Sequence, residues 1–205
     1  MKTNKDRLRE IFARMDSLDY IKSEQIPNID LYMDQVTTFM DEHLEHAKRY
    51  PDDKVLTKTM INNYAKNNLL PPPVKKKYSK EHMLLLIFIY YFKNMLAFND
   101  IETLFQPITE EHFMDSAGLS LQDIYEEVFS LEKDQMKRLK EDLIRKFRLS
   151  QQIFTEQEEE EDREYLQLFA FICTLGFDVY LKKQAMELLI DQIREEHPTD
   201  KKRKK

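Results

Sequence analysis

Apolar positions recur every three to four residues over most of the chain, the period of amphipathic helices. Leu8, Ile11, Phe12 and Met15 predict a first helix over 3–18. Pro27 breaks that pattern. Asn28 or Asp30 can cap a second helix that carries Leu31, Tyr32, Val36, Phe39, Met40 and Leu44 on one side and stops near Arg49, ahead of Pro51. Thr57 suits the N-cap of a third helix, with Met60, Ile61 and Tyr64 inward and Asn67 or Asn68 in the left-handed conformation that ends helices. Pro71, Pro72 and Pro73 force an extended segment, so Lys75, Lys76, Lys77 and Tyr78 are expected in a short, exposed, extended stretch.

Ser79 caps a fourth helix whose apolar positions Met83, Leu84, Leu86, Ile87, Ile89, Tyr90 and Met95 wrap most of the cylinder, which predicts a buried helix. Asn99 or Asp100 starts a short fifth helix with Ile101, Leu104 and Phe105, closed by Pro107. The stretch 109–119, with Gly118, reads as a linker. Ser120 and Asp123 form a capping-box pattern ahead of one long helix, whose stripe runs from Leu121 through Tyr125, Phe129 and Leu143 to Phe147. The acidic run 156–162 leads into a last helix over 165–193, with Phe169, Ile172, Leu175, Val179, Met186, Leu189 and Ile193 inward and Gly176 as an interruption.

Composition narrows the class. Of 205 residues 41% are apolar, enough for a core, and only 2 are glycine. P-loops and doubly wound nucleotide-binding folds need several glycines, and so do hairpin-rich β folds. A single cysteine excludes an intrachain disulfide and a multi-cysteine zinc site, and fits a reducing compartment. The longest uninterrupted apolar run, 83–92, is half of what a bilayer span requires, and MKTNKDRLRE has no apolar signal-peptide core. The expectation is a cytoplasmic, all-α protein with no membrane partner.

The net charge of −6 hides a cationic island. Lys54, Lys58, Lys66, Lys75, Lys76, Lys77 and Lys80 fall in one window with no acidic residue. Local field, not total charge, decides whether a surface attracts phosphate. Thr57, Lys58, Thr59, Asn62, Asn63 and Lys66 on the outer side of the third helix offer donors and acceptors that suit base edges in a major groove. Lysines on a proline-stiffened finger would contact phosphates and set register. Four or five such contacts imply a log–log salt slope of roughly −4.

The segment TKTMINNYAKNNLLPPPVKKKYSKEHMLLLIFIYYFKNMLAFNDIETLF resembles the N-terminal DNA-binding domain of MerR-type regulators. In that pattern a recognition helix ends in Ile-Arg-Tyr-Tyr-Glu, followed by Gly-Leu-Leu-x-Pro, a basic wing closing on tyrosine, and an apolar helix. Ile61, Tyr64, Leu69, Leu70, Pro72 and Tyr78 fall on matching positions, while Asn62, Asn63, Ala65 and Asn68 depart from it. More closely, IDLYMDQVTTFM, LTKTMINNYAK and LLPPPVKKKYSKEHM resemble domain-of-unknown-function family 1836 of Gram-positive bacteria. The resemblance spans about residues 26–107.

It implies a MerR-like winged helix-turn-helix over 26–107, followed by a C-terminal bundle of long helices. The expected organisation is an N-terminal helix (1–25), the DNA-binding domain, a linker (108–118), a helical dimerisation and effector region (119–197) and a basic tail (198–205). The expected function is transcriptional regulation by a homodimer on double-stranded DNA, without cofactor, metal or catalysis. The 57–67 helix and the 71–78 wing would bind through Thr57, Lys58, Thr59, Asn62, Asn63, Tyr64, Lys66, Lys75, Lys76, Lys77, Tyr78 and Lys80. The alternative is a non-enzymatic α-helical interaction module that uses the winged unit to dock a protein.

Other candidates read as structure. His43 and His46 with Glu42 and Glu45 miss the spacing of zincin helices. Cys173, among Phe171, Ile172 and Leu175, reads as an inert core thiol. Five scattered histidines and one cysteine assemble no nucleophile–base pair.

Overall fold

The computed structural model describes residues 2–113 and 118–197. The expected basic tail and the middle of the expected linker lie outside the described residues. The fold is mostly helical. In chain order it comprises α1 (Asn4–Asp16), β1 (Leu31–Tyr32), α2 (Met33–His43), α3 (Lys58–Lys66), β2 (Lys77–Tyr78), α4 (Lys80–Phe92), α5 (Phe98–His112), α6 (Leu121–Ser130), α7 (Glu132–Ser150) and α8 (Glu160–Glu196). Two compact units result: one holds residues 2–19 and 130–184, the other 20–113, 118–129 and 185–197. This division differs from the expected 26–107 domain with its separate 119–197 bundle, because α6 shares the core of α4.

In the larger unit, α4 is the central rod. His82 and every residue from Met83 to Ile89 is buried, as expected of a helix apolar on all sides. Val36, Phe39 and Met40 of α2, Ile61 of α3, Ile101 and Phe105 of α5, and Leu121 and Tyr125 of α6 close around it. The expected capping box of α6 forms: the Ser120 N–H donates to Asp123 at 2.9 Å, and the Asp123 N–H donates to the Ser120 hydroxyl at 3.1 Å. Late in the chain, Arg194 donates to Asp100 at 2.7 Å.

Tertiary packing moved several boundaries. α2 starts after Tyr32 rather than at Asn28 or Asp30, because Leu31 and Tyr32 extend to pair antiparallel with Tyr78 and Lys77. It ends at His43, whose Nδ1 donates to the Phe39 carbonyl at 2.9 Å, and a 3₁₀ turn follows over Glu45–Ala47. α5 runs through Pro107. An internal proline costs about 3 kcal/mol. Burial of Phe113 and packing of Ile108 beyond it outweigh that cost. The single helix expected over 121–147 is two helices, separated at Leu131, because α6 and α7 serve different cores.

In the smaller unit, Leu143 and Phe147 of α7 and Phe171 of α8 form a core, with Leu8, Phe12 and Met15 of α1 packed against it. Lys146 is buried between Asp142 and Asp178. Gln167 donates to the carbonyls of Gln151 and Ile153, at 3.1 and 3.0 Å. α8 passes Gly176 without interruption. Its expected inward stripe is largely outward: Phe169, Ile172, Val179 and Leu189 are exposed. Cys173 is half-buried, not a core thiol. Contrary to the run-length argument, α8 is long enough to cross a bilayer, and its most apolar 18-residue window has mean hydropathy 1.2 with 11% of it buried. Single polar residues such as Gln167 and Thr174 break a run without lowering the average much.

Candidate nucleic-acid interface

α3 is a short amphipathic helix. The Thr57 hydroxyl accepts from the Met60 N–H at 3.1 Å and fixes its start. Ile61 and Tyr64 point into the core, whereas Met60, expected inward, is exposed. Asn68 at φ 60° ends the helix in the left-handed region, and the N–H groups of Leu69 and Leu70 donate to the Tyr64 carbonyl at 2.9 and 3.2 Å. The opposite side presents Lys58, Thr59, Asn62, Asn63 and Lys66, all exposed. α2 packs against α3 and against both strands, so one helix carries both parts of the candidate surface.

The lysine triplet is not the extended stretch expected from three prolines. Val74 pairs with Lys77 across a tight turn, with the Lys77 N–H donating to the Val74 carbonyl at 2.9 Å. Lys75 and Lys76 occupy the central positions at φ 50° and 64°. Positive φ at both positions is the geometry for which hairpins favour Asn-Gly. A residue with a Cβ there costs on the order of 1 kcal/mol. The turn therefore holds two exposed lysines at its tip against a local preference. The Lys77 ammonium lies 5.2 Å from the centre of the Tyr32 ring, a cation–π contact.

The twelve expected contact residues separate. Thr59, Asn62, Asn63, Lys66, Lys75 and Lys76 are exposed and available. The Thr57 hydroxyl is engaged in capping. Lys58 pairs with Asp34 of α2, a counter-charge that only the fold brings near. Lys77 and Lys80 are half-buried. Tyr64 and Tyr78 are core residues, 8% and 3% exposed, and burial pushes both hydroxyls up from their ordinary values. Phosphate contact by those two is corrected to support of the surface from beneath. Sequence reasoning missed Tyr32 as a platform for Lys77. Leu31 and Tyr32 are both apolar, so the sequence carries no alternation that would mark a two-residue strand, and the pair reads as helix.

His82 fastens the turn segment to α4. The Ser79 N–H donates to its Nδ1 at 3.0 Å, so Nε2 carries the proton and donates to the Pro71 carbonyl at 3.1 Å. Tyr78 and Phe113 meet the imidazole edge-on, with ring centres 5.5 and 4.8 Å away. Burial holds it below its ordinary value of 6.5, partly offset by hydrogen bonding to the Pro71 and Pro72 backbone. Between the lowered value and 6.5 the unfolded chain binds a proton that the folded chain does not, so stability is full above 6.5 and falls as pH drops through that window. Thermal melts at stepped pH are expected to show this decline in the wild type and a flatter profile in His82→Gln. Parallel profiles would remove the histidine from the account.

A family model described as "Domain of unknown function (DUF1836)" matches residues 21–128. No curated protein and no solved structure matches the chain.

Proposed function

The chain belongs to the family described as domain of unknown function DUF1836, and from that premise we propose that it is a DNA-binding transcriptional regulator with a MerR-like winged helix. In this reading α3 is the recognition helix, and the turn between Val74 and Lys77 is the tip of the wing. Thr59, Asn62 and Asn63 face base edges, with asparagine suited to adenine. Lys66, Lys75 and Lys76 hold phosphates, and Lys77 assists from its place over Tyr32. The protein acts as a cytoplasmic homodimer joined through its C-terminal helices, because two recognition helices related by a dyad give a useful operator affinity where one does not. Catalysis has no part in it.

The observation that carries the reading is the strained turn. Two lysines keep a backbone conformation that Asn-Gly would adopt at less cost, at the tip of a tight turn that leads into β2, which packs on the helix that supports α3. Ion pairing of Lys58 lowers the count of free phosphate contacts, so the expected log–log salt slope is roughly −3. Lys75→Asn together with Lys76→Gly is expected to stabilise the full-length protein by about 1 kcal/mol while weakening duplex retention about tenfold. Denaturant unfolding and fluorescence anisotropy with a genomic duplex pool, titrated with salt, measure both. A wild type that retains no duplex at low salt ends the proposal.

A further inference from the structure

We propose that α8 pairs antiparallel with α8 of a second copy of this chain, along a stripe running from Tyr165 to Tyr180. Helical geometry places Tyr165, Phe169, Ile172, Gly176, Val179 and Tyr180 within an arc of about 100°. Their large side chains are between 54% and 64% exposed, while Gln167 and Phe171 of the same helix are buried on the far side. The apolar face is therefore additional to the core of its own unit. Together the five side chains expose an area on the order of 1,000 Å² over two copies, the level at which specific interfaces begin.

The sequence of the stripe selects its partner. With a dyad between Ile172 and Cys173, Tyr165 lies opposite Tyr180, Phe169 opposite Gly176, and Asp162 opposite Lys183 of the other copy. Every bulky ring then meets a partner of suitable size, and the acidic helix start meets the basic stretch Lys182–Lys183. Nothing within 4 Å would touch a side chain at Gly176, so the space beside it is open to the partner's Phe169 ring. A parallel pair would set like charges together. A bilayer fits less well, because Asp178 and Lys182 interrupt the apolar stretch and Glu160, Glu161 and Asp162 head it.

This deepens the dimeric part of the proposed function by naming its seam, and it does not require DNA binding. Sedimentation equilibrium of the full-length protein is expected to show a dimer. Phe169→Glu should weaken it about 100-fold. Gly176→Leu fills the space for the opposing ring and should weaken dimerisation about tenfold, with helix content by circular dichroism unchanged. Asp162→Lys should weaken it about tenfold through two like-charge contacts, and adding Lys183→Glu should restore it. A monomeric wild type, an indifferent Phe169→Glu, or failure of the double charge reversal to restore the dimer overturns the proposal. So does flotation of a monomeric wild type with phosphatidylcholine vesicles. The same variants assayed on duplex DNA separate the two readings: a dimer that ignores DNA sinks the regulator and leaves the seam.

Discussion

Replacing Lys75, Lys76 and Lys77 together with glutamate is expected to weaken retention of duplex DNA on the order of 100-fold or more at low salt, and to flatten the salt dependence of what remains. Each change turns an attraction to phosphate into a repulsion, and the three sit on one tight turn. The fold should survive. Lys75 and Lys76 are exposed, and glutamate at φ 50° and 64° meets the same backbone cost as lysine. Lys77, half-buried, loses its contact with the Tyr32 ring, worth roughly 0.5–2 kcal/mol. Mobility shifts at low salt measure the binding, with circular dichroism as the control for folding. A triple variant that shifts DNA as the wild type does would move the positive surface of interest elsewhere.

The sequence carried the local part of this picture well. Thr57 at the start of α3, Asn68 in the left-handed region after it, and the all-round burial of α4 each follow from nearest-neighbour chemistry. What escaped was non-local. The Leu31–Tyr78 pairing joins segments far apart in the chain, and two-residue strands leave almost no period to read. The turn at Lys75–Lys76 lacks the Asn-Gly signature that announces such geometry, because its residues work against the turn. Asp34 reaches Lys58 across two helices, so a window without acidic residues in the chain is not one in space. Tyr64, already on the inward side of α3, and Tyr78 are core residues whose rings fill the space beneath the surface. α8 shows the opposite failure: its apolar residues were assigned inward because periodicity gives a face without saying what covers it.

Tyr125→Ala is expected to cost about 3–5 kcal/mol, a large fraction of the stability of a domain this size. The ring is fully buried against Phe88 and Phe129, with centres 5.3 and 4.3 Å away, and its hydroxyl donates to the Ile21 carbonyl. Tyr125→Phe keeps the packing and leaves that carbonyl unpaired, at a cost of about 1–3 kcal/mol. Ile21 and Tyr125 stand near the two ends of the matched region, so this tie closes it into one cooperative unit that extends past the expected boundary at 107. Urea unfolding followed by tyrosine fluorescence gives both differences. If Tyr125→Ala lies within about 1 kcal/mol of the wild type, α6 is an appendage, and the segment that folds together is shorter than the family match. If the loss is full, α6 belongs to the module that presents α3 and the lysine turn, and destabilising it should weaken DNA retention as well, without any change in surface charge.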